Sequence, residues 1–265
     1  MHAAAMLAIL GVMDSIRLDS HSRPIYFLAD LHLDEKRPEA IAAFIQFLAG
    51  PAREASALFI LGDLFEAWIG DDARPEHDPV APALARLSQQ GTAVYLMHGN
   101  RDFLLGERFA TAASAELIEE PCLISIDSEP VLLEHGDALC VDDLAYQAFR
   151  QQVRDPAWQA EFLSLPIEAR IRQAQDARVK SGEAMAGKTS EIMDVNAEAV
   201  VERLRAYDVR RLIHGHTHRP AVHTLMVDGE PATRIVLGDW FEQASILRVS
   251  NGDYSLRTIN LGPTA

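Results

Sequence analysis

The sequence predicts an α/β fold, with parallel strands early, a helical insertion next and an antiparallel portion at the end. Three observations carry this. First, short apolar runs recur, each ending abruptly in polar residues of ligand type: "PIYFLADLH", "ALFILGDLF", "AVYLMHGNRD", "VLLEHGD" and "RRLIHGHTH". Continuous apolar runs of this length suit buried strands. Second, helix-like segments separate the early runs, and such alternation argues for α/β layering. Third, the pattern from Asp143 to about Tyr207 is helical throughout, and the segments after "RRLIHGHTH" read as strands joined by turns.

The elements follow in order. Residues 1–22 contain one apolar window, "AAAMLAILGVM", too short to span a bilayer. No Lys or Arg precedes it, which weakens a secretory signal. These residues are expected to be a disordered extension or the product of an upstream start codon, with a short interfacial helix as the alternative. One domain is expected over 23–265. "KRPEAIAAFIQFLAG" and "DPVAPALARLSQQG" read as helices between the first three strands, and Gly91 ends the second. "YQAFRQQVRD", "EARIRQAQDARVK" and "NAEAVVERLRAYDV" form a helical insertion at about 143–206 that interrupts the strand series. "AVHTLMVDG", "ATRIVLGDW", "ASILRVSN" and "YSLRTINL" supply the antiparallel part.

The chain's 265 residues suit one large domain or one domain with an insertion. A hydrophobic content of 48% supplies a substantial core. The net charge of −15 would repel a long phosphate polymer, so no nucleic-acid partner is expected. A phosphorylated substrate would need local positive charge, which divalent cations can provide. Cys122 and Cys140 fall in no CxxC or zinc spacing and read as reduced thiols. No obligate protein partner is evident.

In α/β sheets ligands bind beyond the carboxyl ends of the strands. The polar residues there are Asp30, His32, Asp63, Asn100, His135, His216 and His218. Carboxylate and amide oxygens mixed with imidazoles suit Mn²⁺, Fe²⁺ or Zn²⁺ better than Ca²⁺. Seven donors with one bridging carboxylate can hold two metals roughly 3.5–4 Å apart. Asp30 and His32 are expected to point the same way from an extended segment, as are His216 and His218. A lone DxH or GD means little, and the ordered set D-x-H, GD, GN, H, GHxH is the specific signal. His98, His214 and His223 read as core groups or as supports behind the ligands, and His77 as a solvated loop residue. Trp68 reads as packing rather than chemistry, and Asp71 and Asp72 as a capped turn or, alternatively, as supports behind the ligands.

The same set resembles the calcineurin-like metallophosphoesterase superfamily. More narrowly, "DLFEAWIGDD", "HGNRDFLLG", "HGDALCVDDLAYQAFR", "EIMDVN" and "HGHTHRPAVH" resemble the UDP-2,3-diacylglucosamine hydrolases of lipid A biosynthesis. The likeness runs from about Pro24 to Ile259. It implies a four-layer α/β/β/α sandwich with a helical lid and two Mn²⁺ ions. The first metal would take Asp30, His32, Asp63 and His218. The second would take Asp63, Asn100, His135 and His216, with Asp63 bridging. The implied reaction splits the pyrophosphate of UDP-2,3-diacylglucosamine into UMP and 2,3-diacylglucosamine 1-phosphate. The enzyme would sit peripherally on the cytoplasmic face of the bacterial inner membrane. By resemblance, Asn100, Arg101 and His216 are catalytic, and with Asp143, Ser181 and Lys188 they contact the substrate. Met185 departs from the small polar residue usual at its position.

Arg101 sharpens the mechanism. Many metallophosphoesterases carry His at this position, where it can protonate a departing alkoxide. Arginine is always charged and cannot act as that acid, but it can brace a phosphate bidentately. A phosphate monoester, with a second pKa near ~6, leaves unaided. Arg101 therefore favours a phosphoanhydride, attacked by a metal-held hydroxide at the phosphorus next to uridine. Between Glu168 and Lys188 lie five basic residues (Arg170, Arg172, Arg178, Lys180, Lys188) and three acidic ones, which reads as a substrate-facing patch or a solvated helix face. Phe149, Trp158, Phe162, Leu163 and Leu165 read as helix packing or as an acyl groove. Another dimetal phosphodiesterase acting on nucleotides, or a non-catalytic scaffold, are the alternatives.

Overall fold

The computed structural model describes residues 16–75, 77–185 and 194–260, with the side chains of 180–185 and 260 left out. In chain order the strands are β1 (Arg17–Leu18), β2 (Ile25–Leu28), β3 (Ala57–Leu61), β4 (Ala93–Met97), β5 (Glu116–Ile118), β6 (Cys122–Ile126), β7 (Glu129–Glu134), β8 (Arg211–His214), β9 (Ala221–Val227), β10 (Glu230–Val236), β11 (Gln243–Ser250) and β12 (Asp253–Asn260). Helices α1 (Pro38–Ala49), α2 (Val80–Gln89) and α3 (Glu107–Ala113) follow β2, β3 and β4. Between β7 and β8 come α4 (Leu144–Val153), α5 (Pro156–Ser164), α6 (Ile167–Met185) and α7 (Ala197–Tyr207).

The strands form two six-stranded sheets, ordered β12-β11-β2-β3-β4-β5 and β1-β6-β7-β8-β10-β9. In the first, β2 to β5 run parallel, and β11 and β12 add antiparallel at one edge. In the second, β7, β8 and β10 are parallel, flanked by antiparallel β6 and β9. The antiparallel hairpins close on Asp127-Ser128, Asp228-Gly229 and Asn251-Gly252. Both residues of each turn have positive φ, the type I′ geometry whose twist matches paired strands.

Strand alternation builds the layers. Ile25, Phe27, Phe59 and Leu61 of the first sheet meet Val131, Leu133, Ile213 and Ile235 of the second, so the two sheets pack face to face. On the outer side of the first sheet, Tyr26, Leu28, Leu58 and Ile60 pack with α1 to α3. In α1 the buried residues Ala40, Phe44, Phe47 and Leu48 recur at helical spacing, and Pro38 starts the helix. On the outer side of the second sheet, Leu132, Leu212 and Ala232 pack with Val200 and Leu204 of α7. The result is the expected α/β/β/α order. Among the described residues neither Cys122 nor Cys140 is in a disulfide, and Cys140 packs in the last of these clusters.

Three expectations are corrected. Residues 16–22, assigned to an extension, belong to the fold. β1 pairs with β6, and buried Ser20 binds Asp127 and the backbone of Gly252. This covers a sheet edge that would otherwise present unpaired backbone groups. Second, the insertion at about 143–206 divides. Parallel β7 and β8 need a crossover helix; α7 serves as that helix and is part of the outer layer, so only α4 to α6 are left for the expected lid. Third, α3, β5 and β6 lie where no element was expected, because "ERFATAA", "ELI" and "CLISI" are short and carry no ligand-type ending.

Candidate active site

All seven predicted donors converge where β2, β3, β4, β7 and β8 end. Asp30, His32, Asp63, His216 and His218 have left-handed backbones, with φ between 48° and 69°. The expected extended segments are therefore corrected: Asp30-x-His32 and His216-x-His218 lie in irregular loops just past their strands. Alternate left-handed residues, not strand pleating, aim each pair at the cleft. Gly99 and Gly215 permit this, since a Cβ on either would collide with Asp63 Oδ1 or Asp30 Oδ2.

Two donor groups share one carboxylate. In the first, His32 Nε2 lies 3.2 Å from His218 Nε2 and 3.7 Å from Asp63 Oδ2, and His218 Nε2 lies 3.4 Å from Asp30 Oδ1. In the second, Asn100 Oδ1 lies 2.9 Å from both His135 Nε2 and His216 Nδ1, and His135 Nε2 is 3.9 Å from Asp63 Oδ2. Ligands about 2.1 Å from one ion stand about 3.0–3.4 Å apart, so these spacings resemble the edges of coordination shells. Asp63 Oδ2 faces both groups, and Asp30 also lies close to Asp63 and His135. The other oxygen of each carboxylate is fixed by backbone: Asp63 Oδ1 accepts from Arg101 N–H and Asp30 Oδ2 from His216 N–H, each at 2.8 Å. Asp30 Oδ1 is buried without a well-formed hydrogen bond, a costly state that a bound cation relieves. The residues thus fit a dimetal centre.

Behind the ligands stand residues that sequence reasoning missed. Glu66 Oε2 is 2.8 Å from His32 Nδ1, Asp239 Oδ2 is 3.3 Å from His218 Nδ1, and the Leu61 carbonyl is 2.9 Å from His135 Nδ1. Such partners orient a ligand imidazole and raise its basicity. Asp239 had a signal, because "IVLGDW" repeats the apolar-run-then-GD design. Asp102, in "GNRD", accepts from the backbone N–H groups of Asp63, Leu64 and Gly99, tying two ligand loops together.

The electrostatics call for cations. Burial opposes charge on His218, yet Asp239 and Asp30 outweigh it and raise its pKa to about 10. His135, equally disfavoured by burial, is held at about 9 by Asp63 and Asp30. Burial raises Asp63 to about 6 despite its histidines. Burial and the His135 charge lower His216 to about 4. The buried carboxylates thus favour positive charge at this centre, the kind a bound cation supplies.

Helices α4 and α6 make charged contacts with residues behind this centre. Arg178 of α6 pairs with Glu66, whose other oxygen faces His32. Against the effect of burial, His32, Arg178 and Arg101 lower the Glu66 pKa. In α4, Arg150 bridges Glu120 and Asp137, and the Tyr146 hydroxyl donates to Asp137 while its ring stacks near His216. Arg170, almost fully buried, grips Asp72 with two nitrogens.

The other expectations resolve as follows. Asp143 caps α4 by accepting from Tyr146 N–H. Ser181 is in α6 with its side chain outside the described residues, as is that of Met185; Lys188 lies outside them altogether. Trp68, Phe162, Trp158 and Leu165 pack in the first core, whereas Phe149 and Leu163 are exposed. Asp71 accepts from Trp68 Nε1 and from the N–H groups of Gly106 and Phe109 at the start of α3, and so is the structural residue expected. His98 bonds the Leu105 carbonyl, His214 is buried against Gly215, and His77 is exposed.

A family model described as calcineurin-like phosphoesterase matches residues 23–220. A UDP-2,3-diacylglucosamine hydrolase from Stenotrophomonas maltophilia (strain K279a) is 51% identical over 243 residues, covering 88% of this chain and 97% of its own. One from Aromatoleum aromaticum (strain DSM 19018 / LMG 30748 / EbN1) is 52% identical, covering 84% and 91%. Among solved structures, an archaeal phosphodiesterase aligns with a TM-score of 0.45 at 13% identity, covering 89% of this chain and 99% of its own.

Proposed function

This chain belongs to the calcineurin-like phosphoesterase family and, within it, to the UDP-2,3-diacylglucosamine hydrolases, and from that premise we propose how its residues carry out the reaction. It hydrolyses the pyrophosphate bond of UDP-2,3-diacylglucosamine in lipid A biosynthesis, as the names and coverage of its relatives support. The observation that carries the dimetal reading is Asp63 Oδ2, one carboxylate oxygen facing both donor groups. Asp30, His32, Asp63 and His218 would hold one cation, and Asp63, Asn100, His135 and His216 the other. Mn²⁺ suits this mixture of hard oxygens and imidazoles. When bound, such ions neutralise phosphate oxygens and lower the pKa of a coordinated water.

The chain's own residues do the rest. Glu66 and Asp239 hold the His32 and His218 rings in the tautomer that presents Nε2 to the cleft. Asn100 aligns its amide oxygen between His135 and His216. Arg101, on the loop whose N–H fixes Asp63, braces the phosphate and stabilises charge as the bond to the lipid phosphate breaks. No acid is required, because the departing group is a phosphate monoester with a second pKa near ~6. Asp143, Ser181 and Lys188 are assigned to the sugar-phosphate by family resemblance.

Incubation with UDP-2,3-diacylglucosamine beside bis(p-nitrophenyl) phosphate tests the substrate. UMP and a diacylglucosamine phosphate should form, at far higher kcat/KM than nitrophenol is released. Nitrophenol release alone would favour a general phosphodiesterase.

The lipid substrate also argues for peripheral association with the cytoplasmic face of the inner membrane. Among the described residues no helix is long and apolar enough to cross a membrane. The lid instead exposes Leu144, Phe149, Leu163, Ile167, Ile171 and Val179, apolar side chains suited to interfacial contact.

A further inference from the structure

Beyond the metal centre, on the outer face of the second sheet, lies a cleft of about 230 Å³. It touches Thr217, the residue between the ligands His216 and His218. Its polar wall is an Arg-Asp-Arg row. Asp194 Oδ2 is 3.0 Å from Arg219 Nη1, and Asp194 Oδ1 is 3.9 Å from Arg234 Nη1. Arg234 projects from β10 directly opposite His223 of β9, and its side chain is only 14% exposed. A guanidinium offers five donors, yet the one carboxylate near Arg234 lies beyond hydrogen-bond length. Arg234 and Arg219 both line the cleft. Pro220, Ala221 and Val236 supply apolar surface.

We propose that this cleft binds the uracil base of the nucleotide half of the substrate, a site that rests on the uridine-diphosphate reading above. A uracil edge presents acceptor, donor, acceptor: O2, N3–H and O4. The wall presents donor, acceptor, donor: Arg219, Asp194, Arg234. Each Asp194 oxygen has two lone-pair directions, and Val195 N–H and Arg219 occupy one apiece, leaving capacity for N3–H. A phosphate or other simple anion suits the row poorly, because Asp194 stands between the two cations. Cytosine also fits poorly. It presents a bare nitrogen to Asp194 and an amino donor to an arginine. The cleft is on the outer face of the second sheet, whereas α5 packs with the helical layer of the first sheet and α6 is joined to Ile69, Asp72 and Glu66 after β3, so the nucleotide and the lipid would leave the metals in different directions.

The test is calorimetric binding of UMP and CMP to the Mn²⁺-loaded enzyme, with Asp194→Asn and Arg234→Met as variants. The two nucleotides share their phosphate and ribose, so their affinity ratio isolates the base. Wild type should prefer UMP by about tenfold or more, and both variants should bring the ratio close to one. Equal binding by wild type, or a ratio that survives in the variants even if both affinities fall, overturns the site. Turnover of UDP-2,3-diacylglucosamine is measured in parallel. A base preference without that turnover would uphold the cleft and sink the substrate reading; turnover without a base preference would do the reverse.

Discussion

Asp30, His32, Asp63, His216 and His218 hold their donors in place through left-handed backbones that non-glycine residues rarely adopt. Each such residue costs on the order of 1 kcal/mol, a strain that persists where the surroundings over-determine it. Here Asp102 and the N–H groups of Arg101 and His216 do so. Asp63 is the residue both metals depend on. Asp63→Ala should abolish turnover and lower bound metal below two ions per chain, read by elemental analysis; full activity would end the dimetal account. Arg101→Ala should lower kcat about 10²–10³-fold, the scale of losing one preorganised donor. Arg101→His should not restore it, because no leaving-group proton is needed; recovery with a new acidic limb in the pH profile would contradict that role. The protonated histidines make a further prediction. His218 and His135 titrate near 10 and 9 in the metal-free protein, above the ordinary imidazole value of 6.5. Their charge therefore stabilises the metal-free fold fully below pH 6.5, and this is lost as pH rises through 9 to 10. A metal must displace those protons, so its affinity should climb with pH over that window, with about two protons released at pH 7.5. Calorimetry in buffers of differing ionisation enthalpy reads the release; none would mean that the imidazoles are already neutral.

Among the elements, the lid helices are attached by a few charged contacts. Arg170 joins α6 to Asp72 and to the Ile69 carbonyl, and Arg178 joins it to Glu66 behind His32. Glycine at position 70 is required there, because its φ is 117° and a Cβ would strike the Arg170 guanidinium. Arg170→Ala should destabilise the docked lid by about 1–3 kcal/mol, a value set by lost charged hydrogen bonds and tempered by the exposure of Asp72. Limited proteolysis should then cut faster within α5–α6 while metal content holds. Unchanged proteolysis would show that Phe162 and Trp158 packing alone holds the lid.

For the whole molecule, charge and apolar exposure point in different directions. A chain of net charge −15 is repelled by anionic lipid, while its lid exposes aliphatic and aromatic side chains. Membrane fractions should therefore retain the protein through a high-salt wash and release it in detergent. Release by salt alone would indicate electrostatic attachment and contradict an apolar lid contact.

The donors were legible in the sequence because the fold repeats one local device. An apolar strand buried on both faces must end at the rim, and Asp, His and Asn placed there have the cleft as their common destination. The α/β layering and the antiparallel tail follow from the same periodicity, and type I′ turns explain why "DG" and "NG" mark two of the hairpins. Other features needed the tertiary structure. Whether α7 is lid or outer layer depends on which face of the second sheet buries Val200 and Leu204, and helical periodicity is the same for both. Glu66, Asp239 and the Arg219-Asp194-Arg234 row draw their roles from partners far apart in the chain. A carboxylate's sequence neighbours do not reveal which imidazole or guanidinium will be brought against it. The left-handed aim of the ligand loops, fixed by long-range hydrogen bonds to Asp102 and Asp30, has no local pattern to announce it.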